Sequence, residues 1–289
     1  MELFRTPNYI IRHAETLQEL TYIEHMQVEV WGIHNPVELV PKDILLIVQK
    51  NGGLVLGAFD LTGKMIGFLF GFIGQTEQKH FKHCSHMMGV LQGYRHLGIG
   101  EQLKRVQRDV IRQQGLDLIT WTVNPLEGVN ASLNFGKLGV ICRKFLPNFY
   151  GDMEDELNKG LPSDRFEVEW WIDSERVKNR LAGNRPALSL ANILASGALL
   201  INKIQPNGSA VFVTVPPATQ QLVVEMPPSI QSIKQRSMEI AKSWIDQTGV
   251  FFANAFAAGY IVTEFFSEEE CSGRRNFYLL ELAPKDITE

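Results

Sequence analysis

Six consecutive residues, Arg95-His96-Leu97-Gly98-Ile99-Gly100, bring a basic side chain and two glycines together in an R-x-x-G-x-G pattern. Apolar residues at Ile99, Leu103, Val106 and Val110 then carry the spacing of a helix. A turn free of bulky side chains at Gly98 and Gly100 lets an anion reach the backbone, where the unpaired N–H groups and the dipole of the helix start bind it. That chemistry suits a phosphate or pyrophosphate. The pattern lacks the third glycine of a dinucleotide fingerprint and the Gly-Lys-Ser/Thr ending of a nucleotide P-loop. The same glycines would also serve a tight strand-to-helix turn with no ligand at all.

Other residues of chemical interest are scattered. Asp164 and Arg165 adjoin just before a run containing Trp170 and Trp171. In one reading Arg165 grips a ligand carboxylate; in the other the two residues form a loop ion pair beside core tryptophans. His80, His83 and His86 do not suggest a metal site, because a strand presents His83 and His86 to opposite faces and no carboxylate lies nearby in sequence. Cys84, Cys142 and Cys271 are far apart and form no CxxC, which disfavours both zinc and a disulfide framework.

The elements that must position these residues can be read from periodicity and turn chemistry. Tyr9–Arg12 is a strand, Ala14–Trp31 a helix ended by Gly32, and Pro41–Gln49 a second helix with Ile44, Leu45, Ile47 and Val48 inward. Strands at 54–59 and 64–73 flank the hairpin turn at 60–63. A strand at 82–91 follows, whose alternation puts Cys84, His86, Met88 and Val90 on one face. After the glycine turn comes a helix to about Gln114, a strand at 118–123, a helix from Glu127 to Leu138, and strands at 140–145 and 166–173. The residues from 175 to 207 read as a connector. Strands at 210–215 and 222–225 lead to a helix capped by Ser229 and interrupted at Gly249. A hairpin closes around the acidic stretch Ser267–Glu270. The class is α+β, with a mixed sheet.

Composition narrows the function. The chain has 289 residues, 45% of them hydrophobic, and a net charge of −4, so it can bury a sizeable core and carries no polybasic signature of nucleic-acid or membrane binding. The first residues lack a signal-peptide shape, and the stretch from Ala187 to Ile204 is too polar and too short to span a membrane. The expected compartment is the cytoplasm.

The element order, with R-x-x-G-x-G opening the central helix, resembles the GCN5-related N-acetyltransferase (GNAT) superfamily. Leu118-Ile-Thr-Trp-Thr-Val123 sits where that family's fifth strand sits, and Asn130-Ala-Ser-Leu-Asn-Phe-Gly-Lys-Leu-Gly-Val140 is similar to its N…A…(Y)-x-K-L-G-F helix ending. The resemblance spans about residues 8 to 173. The longer patterns SHMMGV, GIGEQLKRVQR, LITWTVNPLE and LPSDRFEVEW are similar to a two-part subgroup in which some members N-acylate amino acids, including from succinyl-CoA.

The resemblance implies an acyl-CoA N-acyltransferase fold in which residues 1–174 bind acyl-CoA. Residues 175–208 then connect to an α/β part, 209–289, that looks like a degenerate half-repeat. It implies acetyl-CoA, or another acyl-CoA such as succinyl-CoA, as co-substrate, no metal, and a small amine such as an amino acid as acceptor, with a homodimer as a further expectation. The pantetheine arm would bond to backbone groups of Met88, Gly89 and Val90. The pyrophosphate would sit on the amides of Arg95, His96, Leu97, Gly98, Ile99 and Gly100, with Asn124 and Asn130 near the pantetheine and thioester. Asn130 reads equally as the cap or first turn of its helix.

Acyl transfer to an amine needs a neutral amine, a stabilised oxyanion and a departing thiolate. His86 is the candidate base, against a packed or substrate-shaping histidine as the alternative. Glu24, Glu29 and His34 lie on the first helical segment, which lines the acceptor site in the family; Arg165 would take an acidic acyl group or an amino-acid carboxylate. Phe135 stands where many members have a tyrosine that protonates the thiolate, which phenylalanine cannot do. Tyr150 and Tyr94 are the replacement hydroxyls. The alternative function is a non-catalytic acyl-CoA-binding or regulatory protein.

Overall fold

The computed structural model describes residues 2–33, 35–153, 159–213, 219–271 and 273–282. The expected class holds: a mixed sheet with helices, divided into two compact units, the first running to Trp121 and the second holding the described residues from Thr122 onward. The boundary expected at residue 174 thus falls inside the second unit.

In the first unit the strands are β1 (Glu2–Arg5), β2 (Tyr9–His13), β3 (Leu54–Asp60), β4 (Met65–Gln75), β5 (Phe81–Val90) and β6 (Leu118–Val123, whose last two residues belong to the second unit). They lie in that order, antiparallel until β5 and β6, which are parallel. The helices are α1 (Leu17–Trp31), α2 (Lys42–Lys50) and α3 (Ile99–Gln113).

Helix α1 starts in a capping box: the Thr16 hydroxyl accepts from the Glu19 amide at 3.2 Å, and the Glu19 carboxylate accepts back from the Thr16 amide at 3.1 Å. Gly32, at φ 68°, ends it in the left-handed conformation. Its inner face, Leu20, Ile23 and Met26, packs with Leu45, Phe68 and Phe70. Each such buried side chain contributes roughly 1.5–3 kcal/mol. Helix α2 buries only Leu45, whereas Ile44 and Ile47, expected inward, are exposed; nine residues leave room for one narrow stripe.

The second unit begins, after the end of β6, with α4 (Gly128–Ala131), which continues through a π-helical stretch, Ser132–Leu138, to Gly139. Next come β7 (Ile141–Leu146), β8 (Arg165–Trp171), α5 (Glu175–Leu181), α6 (Leu190–Ala195), β9 (Leu199–Leu200), β10 (Asn202–Ile204), β11 (Ala210–Phe212) and β12 (Gln221–Met226). The chain finishes with α7 (Ile230–Arg236), α8 (Met238–Ala257), β13 (Tyr260–Glu270) and β14 (Gly273–Leu282). Strand order within the unit is β8-β7-β13-β14-β12-β9, with β10 and β11 forming a separate ribbon. Phe135, Phe166, Phe252 and Tyr278, all fully buried, form its aromatic centre.

Several expectations shift here. The connector contains helix α5, whose Arg176 and Arg180 pair with the buried Glu264 of β13 and so pin it to the sheet. Helix α8 runs straight through Gly249, which is small so that Phe145 and Asp164 can approach. The break falls instead at Ser237, extended at φ −157°, whose hydroxyl caps α8 through the Ile240 amide. The acidic stretch Ser267–Glu270 is strand, paired with residues 273–276, so the hairpin turn lies beyond it. Residues 214 and 215 of the strand expected at 210–215 lie outside the described residues.

Candidate functional site

Strand β5 is paired with β4 along its whole length, from Phe81·Gln75 to Val90·Gly67. On its other side it pairs with β6 at only two places, His83·Ile119 and Cys84·Thr120. Beyond them, Ser85–Val90 has no second strand partner among the described residues. The edge turned away from β4 thus presents backbone N–H and C=O groups to a gap that opens at Ser85 and Trp121.

The register to β4 slips between Phe70·Met87 and Gly71·Ser85, so His86 is the extra residue of a β-bulge. This corrects the strict alternation expected for the strand. His86 turns to Phe70 and Phe72, with ring centroids 5.8 Å and 6.1 Å away, on the face packed by α1 and α2. Met88 instead meets α3 at Gly100. His86 keeps an exposed edge, while desolvation by its aromatic neighbours lowers its pKa and leaves the imidazole neutral at pH 7. Gly89 is fixed by packing: a Cβ there would lie 2.8 Å from the Phe68 ring and 3.3 Å from Val30 of α1.

The residues from Gln92 to Leu97 form a 3-10 turn, and Gly98, at φ 71° and ψ 14°, is the left-handed residue that joins it to α3. No side chain caps α3, and its first internal bond runs from the Gln102 amide to the Gly98 carbonyl. The amides of Ile99, Gly100 and Glu101 therefore have no intrahelical acceptor. A Cβ at Gly98 or Gly93 would meet nothing within 4 Å, and one at Gly100 only Met88 at 3.5 Å. Arg95, His96 and Gly98 are exposed, and the Arg95 Nε donates to the Val90 carbonyl at 3.1 Å, tying the turn to the end of β5. These donors and this clearance fit an anionic group such as a pyrophosphate.

Other candidates have structural duties. The Glu24 carboxylate accepts from the Lys42 amide at 2.6 Å and so anchors the start of α2. Glu29 is exposed in the last turn of α1, and His34 lies outside the described residues. In the second unit, Asn124 turns its Oδ1 to the Leu126 amide at 2.9 Å, an Asx turn, and Asn130 is exposed in the first turn of α4, where Glu127 is the cap residue. The Tyr150 hydroxyl is 2.8 Å from Thr122 Oγ1, at the end of β6. Arg165, 7% exposed, donates to the Asp164 carbonyl at 2.8 Å and to the Met153 sulfur at 3.3 Å, with the Tyr150 ring 5.4 Å from its guanidinium.

Sequence reasoning missed Lys104 and Gln107. Both are buried on the inner face of α3, beside Ser85 and Trp121. The signal was present: Gly100, Lys104, Gln107 and Ile111 follow one stripe of a helix, and two polar residues interrupt it.

No family model and no curated protein matches the chain. Among solved structures, the chain is similar to the ribosomal-protein-S18-alanine N-acetyltransferase of Escherichia coli, with 15% identity over 58% of this chain and 97% of that one and a TM-score of 0.45. It is also similar to an acetyltransferase of the GNAT family from Streptococcus pneumoniae, at 16% identity over 56% and 97% of the two chains and a TM-score of 0.44. A third is a proposed acetyltransferase from Salmonella typhimurium with its cofactor acetyl-CoA, at 17% identity over 63% and 99% and a TM-score of 0.45. Among the described residues no helix is long and apolar enough to cross a membrane.

Proposed function

We propose that this chain is an acyl-CoA-dependent N-acyltransferase of the GNAT type, moving an acyl group from acetyl-CoA, or another acyl-CoA such as succinyl-CoA, to the amine of a small molecule such as an amino acid. One observation carries the reading: within the first unit, the half-paired strand β5 ends in a turn that presents uncapped helix amides and open glycines. An extended amide-bearing chain with a pyrophosphate at one end has the shape and chemistry of that surface. The strand edge bonds the arm, and the helix start takes the charge.

Bound acyl-CoA supplies the activated thioester. Backbone groups in the stretch Met88, Gly89 and Val90 that point away from β4 hold the arm, and the N–H groups on that free edge of β5 are the donors for the oxyanion. His86, neutral and exposed at the bulge, takes the proton from the incoming amine. For Tyr150 as proton donor to the thiolate, and for Arg165, Asn124 and Asn130 as ligand contacts, the support is the sequence resemblance alone; all four belong to the second unit. Binding calorimetry with CoA and acetyl-CoA, followed by thiol release against an amine panel, tests the proposal. Binding without release in any amine supports the non-catalytic alternative, and absence of binding contradicts both.

A further inference from the structure

In the second unit three arginines converge on one buried carboxylate. Arg176 and Arg180 of α5 both pair with Glu264 Oε1, Arg176 at 3.0 Å, and the Arg185 Nη2 stands 3.9 Å from Glu264 Oε2. Among the described residues none of the three pairs with any other carboxylate. Three cations against one anion leave an excess of two positive charges. The side chain of Arg180 is 4% exposed, that of Arg176 19% and that of Arg185 33%, so the cluster runs from the interior to the surface with Arg185 at its open end. Burial pulls Arg180 below the usual arginine range, with Glu264 opposing and the two neighbouring arginines adding to the shift.

The backbone is shaped around these side chains. Along the π-helical stretch and at its end, a Cβ on Gly136 would lie 3.0 Å from Arg185 Nη1, and one on Gly139 would lie 2.7 Å from Arg180 Cγ. Carbonyls take part of the donor set: Gly139 and Thr263 accept from Arg176, and Phe265 accepts from Arg185 Nη2. Two buried atoms are left over, because Arg180 Nη1 has no acceptor and Glu264 Oε2 has no donor. Buried polar groups are normally paired, yet here a donor and an acceptor are both orphaned within one cluster of excess positive charge. A ligand that completes it must be an anion, must accept from guanidinium groups and must itself donate one hydrogen bond. Hydrogen phosphate is a dianion with several acceptor oxygens and a single hydroxyl. Sulfate has the charge without the donor, and a carboxylate has neither the second charge nor the donor.

We propose that Arg176, Arg180, Arg185 and Glu264 form a site for hydrogen phosphate, which enters on the Arg185 side, accepts from Arg185 and from Arg180 Nη1, and donates its hydroxyl to Glu264 Oε2. Bound there, the ion ties the chain beyond α5 to the π-helical stretch and to β13. The site shares no residue with the glycine turn of the first unit and is independent of the acyl-CoA reading.

Affinities for phosphate and for sulfate at the same ionic strength are measured by calorimetry on the full chain, with thermal melts as the fold control. Wild type is expected to bind phosphate at least tenfold more tightly than sulfate and to melt at a higher temperature in phosphate. Arg185→Gln is expected to melt as wild type does without phosphate and to lose at least tenfold in phosphate affinity. Arg185→Lys, which keeps the charge without the planar fork of donors, is expected to lose most of the preference for phosphate over sulfate. Gly100→Glu, which places a carboxylate at the amides of α3, is expected to leave phosphate affinity within about twofold. Phosphate binding lost in Gly100→Glu and kept in Arg185→Gln would assign the ion to the start of α3 and overturn the proposal. Equal affinities for the two anions, or no binding of phosphate by folded wild type, would overturn it as well and leave the acyltransferase reading standing.

Discussion

Phe135 packs edge-on against Tyr278, with ring centroids 5.5 Å apart and planes at 80°, and both rings are fully buried. The position at which the sequence resemblance places a proton-donating tyrosine is therefore part of an aromatic core. The Tyr278 hydroxyl is itself committed, donating to the Pro125 carbonyl at 3.0 Å. Phe135→Tyr would add a hydroxyl to this packing without a partner, at a cost of about 1–3 kcal/mol. The expected outcome is a lower midpoint in denaturant and no gain in thiol release. A faster enzyme with unchanged stability would show that the position does open to a reacting group.

The capping box of α1 predicts an acid-dependent contribution. Burial opposes ionisation of Glu19, but bonds from Arg12 and from the Thr16 and Glu15 amides outweigh it and hold the carboxyl at about 2. A depressed carboxylate stabilises the fold above its unfolded pKa, near 4.5, and that contribution is lost as pH falls toward 2. Thr16→Ala is expected to cost about 1 kcal/mol at pH 7. Glu19→Gln is expected to be destabilising at pH 7 and nearly neutral at pH 2, read from urea titrations at the two pH values.

His83 predicts a second window. Burial, with Lys104 adding repulsion, lowers its pKa to about 3. The unfolded chain takes up this proton near pH 6.5 and the folded protein does not, so stability drops as pH falls from 6.5 toward 3. The slope reaches about 1.4 kcal/mol per pH unit. The stability difference between His83→Phe and wild type should therefore move in favour of the variant across that range. A pH-independent difference would mean that His83 takes up a proton inside the fold.

Much of this architecture was legible in the sequence, because glycine and aspartate punctuate it. Asp60-Leu-Thr-Gly63, Gly98, Gly115 and Gly139 each stand at the expected turn or helix end, and three of these glycines hold φ between 71° and 79°. What escaped depends on partners. The bulge at His86 exists only relative to β4, so alternation along β5 alone misplaced Met88. Ser229 and Ser237 have equal capping chemistry, and only the backbone shows that both are used. The cradle was visible as a pattern of glycines. The lysine cluster was not, because Lys104 reads as a solvated charge until Ser85 and Trp121 are seen against it.

The bulge histidine predicts a pH profile. If His86 accepts the amine proton, kcat/KM should fall as pH drops through its lowered pKa, on the acid side of the usual histidine range. His86→Ala should reduce turnover tenfold or more, flatten that limb and leave acyl-CoA affinity within about twofold. Retention of the limb in the variant would remove His86 as the base.

The central claim is that the start of α3 binds the pyrophosphate of an acyl-CoA, and Gly100→Glu tests it most directly. Gly100 has helical backbone geometry and its Cβ position meets only Met88 at 3.5 Å, so a side chain is tolerated. Gly100 is the second residue of α3, where a side chain does not strain the backbone and a carboxylate is favoured by the helix dipole. The added carboxylate would project negative charge where the phosphates are proposed to sit. Calorimetric titration with CoA should show at least a tenfold loss of affinity in a variant that melts no lower than wild type. Unchanged affinity in a folded Gly100→Glu variant would contradict the account.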